Sequence, residues 1–327
     1  MKLKYIVSAT AFALMLGCSS ISNAVTKLEL AGYADSGGAI SVLHSGESVD
    51  PYFAMQALLL AHDNGMDVSN VAEKFIDWLL PQQKPDGTFD RFCKNAESKW
   101  IPCKTSDADD SLLALWMRLL QTMPTKLNKN QLWMKSYLTS QTSLERLYQP
   151  SRGIYMVSPV YLHGLFMDNL EVWSYKSHLK LPGQQAETAK LGKAIQNTFW
   201  DPAGQKFLIS TQLEQRSENP KFYPDRVAQI FPLLVNFPLQ TRDDRFFYHA
   251  WMTAHRAEWL VQSKTDYPWG LIAVLAIRQN DKTSAQCWLR EAGINRHSHR
   301  WSVTDEAAFQ IVTGRGITPA ALTTPCK

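Results

Sequence analysis

Residues 105–117 read TSDADDSLLALWM. Three carboxylates, Asp107, Asp109 and Asp110, stand at the head of an apolar helical run. Two readings compete. Ser106 can be an N-cap with Asp109 as its N3 partner, which makes a capping box. Acids in a first turn also complement the positive end of the helix dipole. Alternatively, the acids line the mouth of a cleft and meet a ligand. The choice depends on whether the pattern recurs along the chain.

It recurs. ESVDPYFAM (47–55), FMDNLEVWSY (166–175), YPDRVAQIF (223–231), TDYPWGLIA (265–273) and WSVTDEAAF (301–309) likewise place acids and aromatics at the start of an apolar run. Apolar periodicity near 3.6 predicts helices over about 51–64, 70–82, 106–122, 129–148, 162–181, 184–199, 225–239, 243–263, 268–279, 282–293 and 303–313. Short connections between successive helices imply antiparallel neighbours. Strands do not alternate with these helices, so a parallel sheet is not expected. No fixed-period consensus marks an open repeat array. The expected fold is therefore all-α: a closed (α/α)6-type barrel of helical hairpins, with short strands confined to loops. In such a ring alternate helices point the same way, so the six acid-bearing starts should converge at one end. Carboxylates interleaved with Tyr and Trp there suit a polysaccharide or oligosaccharide, since rings stack on sugar faces while acids bind hydroxyls.

The chain has 327 residues, 45% hydrophobic, with eleven Trp and a formal charge of +4. No basic stripe is visible, which excludes nucleic acid as an expected partner. Lys2 and Lys4 precede an apolar run from Ile6 to Leu16, the pattern of an export leader. Two exits are open. SNA at 22–24 is a small-x-small cleavage site, which gives a signal peptide over 1–24. MLGCSS at 15–20 reads as a lipobox, which gives a signal over 1–17 with Cys18 lipidated and tethered to a membrane. Either way the expected location is the periplasm or the outer membrane, and residues 25–327 form one barrel domain, expected as a monomer. Four further cysteines suit two disulfides in an exported chain, although three pairings are open. Sequence proximity favours Cys93–Cys103 and Cys287–Cys326.

Three stretches resemble glycoside hydrolase family 8, especially the periplasmic endoglucanases of bacterial cellulose secretion. They are residues 95–121 around SDAD, FYPDRVAQIFPLL (222–234) and GESVDPYFAMQALLLAHDN (46–64). MDNLEVWSY (167–175) is similar to segments of other six-hairpin sugar enzymes, including epimerases and unsaturated glycuronyl hydrolases. The resemblance implies an exported hydrolase of an acidic or neutral exopolysaccharide, acting by inversion with no metal or organic cofactor. Glu47 or Asp50 would be the acid and Asp225 the base. Asp107 or Asp109 would hold the distorted ring at the cleavage point. Tyr52, Asp168, Trp173, Tyr175, Tyr223, Arg226 and Trp269 are the further substrate-binding candidates. A lyase or epimerase on the same barrel, or a polysaccharide-binding envelope protein without catalysis, is the alternative.

Overall fold

The computed structural model describes residues 26–179, 181–216, 219–239 and 243–326. The leader and Cys18 lie outside the described residues. Twelve α-helices are present among them: α1 (Pro51–Asp63), α2 (Ser69–Leu79), α3 (Asp109–Gln121), α4 (Pro124–Lys129), α5 (Gln131–Arg146), α6 (Phe166–His178), α7 (Gln184–Phe199), α8 (Val227–Leu234), α9 (Asp244–Gln262), α10 (Gly270–Arg278), α11 (Lys282–Ala292) and α12 (Val303–Gly314). Helices α1, α3, α6, α8, α10 and α12 pack in that order, and α12 closes back onto α1. This is the inner ring. Helices α5, α7, α9 and α11 back α3, α6, α8 and α10 from outside. The position outside α12 holds extended chain instead: Glu29 N–H donates to Gln310 Oε1 at 3.0 Å, and Leu28 N–H to the Asp67 carbonyl at 3.1 Å.

The hydrophobic patterning explains the two layers. α2 turns only Ala72, Phe75, Ile76 and Leu79 inward, a single stripe. α3 buries ten of its thirteen residues because it has neighbours on nearly every side. Trp116, Trp133, Trp259, Trp288 and Trp301 are fully buried, so the aromatic content is largely core. Gly270 is needed at the start of α10, where a Cβ would lie 2.6 Å from that of Ala308.

α4 was not expected, α6 spans Phe166–His178 rather than 162–181, and two further boundary shifts bear on the site. α8 stops at Leu234 rather than 239. Pro238 restricts the residue before it to extended backbone, and Asn236 already turns into the left-handed region at φ 57°. α3 starts at Asp109 rather than 106, and its N-cap is Ala108 with no side-chain cap. The capping box is therefore not formed. The Ser106 hydroxyl donates instead to the Phe89 carbonyl, and the Asp109 N–H is satisfied by the Val157 carbonyl at 2.8 Å. Among the short strands expected in loops is a hairpin, β2 (Asp90–Lys94) and β3 (Trp100–Thr105), with β1 (Ser48–Val49) paired to β2. Both expected disulfides are present, Cys93–Cys103 across this hairpin and Cys287–Cys326 at the C-terminal tail.

Candidate active site

The six inner-helix starts meet around one cavity of about 420 Å³. Each contributes to the wall: Asp50 and Tyr52 ahead of and in α1, Asp107 and Ser111 at α3, Asp168 in α6, Tyr223 before α8, Trp269 before α10 and Asp305 in α12. The convergence inferred from alternating acid-bearing starts is thus the central feature of the molecule. Among the lining residues that carry a formal charge, five are carboxylic (Asp50, Asp107, Asp168, Asp266 and Asp305) and one is a cation, Arg91.

Arg91 organises one side. It sits on β2 beside an irregularity in the β2–β3 register. Bulges of this kind re-aim side chains. Arg91 Nη2 lies 2.6 Å from Asp107 Oδ2, and Nε lies 2.7 Å from Asp50 Oδ2, close as an ion pair though not aligned as a hydrogen bond. Asp50 also accepts from the Tyr52 N–H at 3.1 Å, which caps α1. Asp50 is buried, and that burial outweighs Arg91, so its carboxyl titrates above the ordinary aspartate range. Asp107 keeps most of its side chain in solvent.

Next to it, between α3 and α6, lies a buried acid cluster. Asp168 is pushed up to about 7, by burial first and then by the charge of Asp107. Its Oδ2 is buried with no hydrogen-bond partner. Glu171, one turn later on α6, is raised to about 8 by burial and by Asp168, although Tyr52 Oη donates to its Oε1 at 2.7 Å. Asp110 from α3 is completely buried, and burial and Asp168 raise it well above the usual range. No hydrogen bond of good geometry reaches either Asp110 oxygen, though the Ser111 amide favours its anion. Asp305 is different. Its Oδ1 takes the Gly270 N–H at 2.8 Å, which ties α10 to α12, while its Oδ2 takes the Ser302 N–H at 3.1 Å and Ser302 Oγ takes the Asp305 N–H at 3.2 Å, a capping box on α12. Burial still raises it to about 6.

The aromatic wall is Tyr223 and Trp269, stacked 5.2 Å apart with 26° between their planes. Trp269 has a positive φ of 50°. For a bulky residue this is a strained conformation that persists only where the surroundings impose it.

The structure brings together Asp50, Tyr52, Asp107, Asp168, Tyr223 and Trp269 from the sequence-derived candidates. It does not bring the others. Glu47 is exposed on the lead-in to β1 and does not line the cavity. Asp109 is half-buried on the far side of the α3 turn, facing Lys84, Asp86 and Asp90, and burial raises it to about 6. Trp173 packs against Phe237 and Gly192, outside the ring. Tyr175 is buried and shares a hydrogen bond with Tyr137 at 2.8 Å. Asp225 and Arg226 line a separate outer groove with Trp251 and His255, and Asp225 accepts from the Lys221 N–H at 2.9 Å. The irregular turn at Phe222–Arg226 separates them: it sends Tyr223 into the cavity and Asp225 away from it. Arg91, Asp266 and Asp305 in the cavity wall, with Asp110 and Glu171 behind it, are the site residues not selected from sequence. Glu171 follows Asp168 at i+3, which puts the two on one helix face and was the available signal. Asp110 stood among the three acids of the opening stretch, but both it and Asp109 have apolar residues at i+3, i+4 and i+7, so spacing did not single it out.

No family model matches the chain, and no curated protein matches it in sequence. Solved structures do match. A novel alpha-amylase from Clostridium perfringens superposes with a TM-score of 0.57 at 9% identity, over 86% of this chain and 93% of that one. A cold-adapted family 8 xylanase gives 0.54 at 9% identity, over 88% and 87%. A family GH63 mannosylglycerate hydrolase from Thermus thermophilus gives 0.55 at 11% identity, over 88% and 98%. At these identities the likeness is one of fold: this chain has the (α/α)6 barrel of these glycosidases.

Proposed function

We propose that this protein is an exported glycoside hydrolase of a neutral polysaccharide or oligosaccharide, with Asp168 as proton donor and Asp107 as general base. The observation that carries the reading is the pair itself. A carboxyl held up to about 7 shares with an Arg-paired carboxylate a cavity lined from all six inner-helix starts. Two carboxyls in contrasting environments are the arrangement glycoside hydrolysis needs. The fold shared with three glycosidases supports it.

In the proposed step Asp168 passes its proton to the glycosidic oxygen. The C1–O bond breaks, and its electron pair stays on that oxygen as the leaving hydroxyl. A water attacks C1 and loses its proton to Asp107. Inversion requires room for that water, about 6.5–9.5 Å between the carboxyls. Arg91 fixes Asp107, and Tyr223 with Trp269 offers a face for a sugar ring. Five lining carboxyls against one guanidinium would repel an acidic glycan, so a neutral one is the better match.

The test is release of reducing ends from neutral β- and α-glucans, xylans and mannans, with the first-formed anomer followed by proton NMR. Inverted product, abolished in Asp168→Asn, is the expected result. No release from any of these glycans, or loss of activity in Asp225→Asn with Asp168→Asn still active, overturns the reading.

A further inference from the structure

Beneath the cavity, four buried oxygens lack a hydrogen-bond partner: both of Asp110, Oδ2 of Asp168 and Oε2 of Glu171. Buried polar atoms in native proteins are almost always paired. These four belong to three neighbouring side chains, from the first turn of α3 and the first two turns of α6, which pack together. Three bare anions here would be very costly, since an unpaired buried charge is among the most unfavourable groups in a protein. A neutral carboxyl, however, carries an O–H donor. One proton on Asp110 and one on Glu171 convert all four orphan oxygens into two O–H···O pairs, and the proton that Asp168 donates is a third, on its cavity-facing oxygen.

We propose that Asp110 is a positioning residue for Asp168: as a neutral carboxylic acid it donates to Asp168 Oδ2 and accepts from Glu171 Oε2. Glu171 is anchored in turn by Tyr52, and Tyr52 Oη accepts from Gln56 Nε2 at 3.1 Å. The chain Asp168–Asp110–Glu171–Tyr52 thus fixes the rotamer of Asp168 while its other oxygen faces the cavity. When Asp168 gives up its proton, the Asp110 O–H stabilises the new carboxylate without adding a second charge. The raised titration of Asp110 and Glu171 agrees with both holding protons at neutral pH. The charged and titratable groups facing them are Asp107 and Asp109 at the head of α3, Asp168, Tyr52 and Tyr223. The cation that favours the Glu171 anion is Arg118.

The donor role of Asp168 rests on the proposed function; the state of Asp110 does not, and the experiment reads both. Asn is neutral, isosteric, and offers the same donor and acceptor. Asp110→Asn should therefore melt at or above wild type near pH 8 and retain activity within a few-fold. Asp110→Ala should melt lower at every pH, and its rate should drop on the order of 10²-fold through misplacement of Asp168, with the alkaline limb of its pH profile displaced from that of Asp110→Asn. If Asp110→Asn is as unstable as Asp110→Ala near pH 8, Asp110 is an anion with its own partner and the proposal is wrong. If the melting pattern holds but wild type is inactive, the hydrolase reading falls and the neutral Asp110 stands.

Discussion

Asp168 and Asp225 offer opposed predictions at the scale of one carboxylate. Asp168 faces the cavity from the first turn of α6, whereas Asp225 is held in an outer groove by a backbone amide. Asp168→Asn should therefore lower kcat by about 10²–10⁴-fold, the ordinary worth of a general acid, with unchanged circular dichroism. Asp225→Asn should leave kcat within about threefold, since a residue outside the site has no transition-state contact to lose. The pH profile carries the sign. A proton donor works in its protonated form, so activity should fall as pH rises through about 7, the range to which burial pushes Asp168. The SDAD stretch shows how much of this was legible. Its acids do lie at a helix start, and one of them, Asp107, lines the cavity. Which of them was buried was not legible, because it depends on a helix beginning at Asp109, and that start is set by the Val157 carbonyl from a distant loop. Likewise nothing in YPDRVAQIF reveals that one turn sends its Tyr and its Asp to opposite sides.

Among the elements, the β2–β3 hairpin and the C-terminal tail can be separated by their disulfides. Cys93–Cys103 spans ten residues and clamps the strand that carries Arg91. Cys287–Cys326 spans 39 residues and fastens the tail to α11, where Arg290 also donates to the carbonyls of Ala321 and Thr324. Loop-closure entropy gives the shorter loop roughly 3 kcal/mol and the longer roughly 4 kcal/mol. Stability and function should therefore cross. Replacing Cys287 and Cys326 by Ser should lower Tm more. Replacing Cys93 and Cys103 should lower Tm less but raise KM more, because Arg91 loses its fixed strand and with it the ion pairs to Asp50 and Asp107. Equal KM values in the two double variants would show that the hairpin does not position Arg91. Eleven of the helices were readable from periodicity; α4, six residues with only Leu127 buried, was not. The hairpin was not, because β3 is largely exposed and lacks alternation.

Taken as a whole, the molecule buries carboxyls at one end of a closed ring, and its stability should depend on pH in an unusual direction. Asp109 and Asp305 are raised to about 6, Asp168 to about 7 and Glu171 to about 8, each by burial first. In the unfolded chain all four titrate near 4. Between these limits the native state binds more protons than the unfolded state, so stability is fully present below about pH 4 and is lost as pH rises toward 8. Glu306 opposes this at the acid end. Arg296, at 2.7 and 2.8 Å, holds it below the usual range, so its contribution is present above the unfolded value and is lost as pH falls. Asp67 and Asp86, held low by hydrogen bonds from Ser69 and Thr88, act in the same direction as Glu306, but the four raised groups outnumber these three, and Asp168, Glu171 and Asp305 lie at or just behind the cavity wall. Tm should therefore peak near pH 5, roughly where the Glu306 pair is intact and the raised acids still hold their protons, and should decline steadily to pH 8. Asp168→Asn and Glu171→Gln together should flatten that decline, since both groups lose their proton only on the alkaline side. Differential scanning fluorimetry from pH 4 to 9, with buffers matched in ionic strength, measures it. A Tm that rises from pH 5 to 8 would mean that these carboxyls are charged in the native state, and the cavity would then need a cationic partner instead of a sugar.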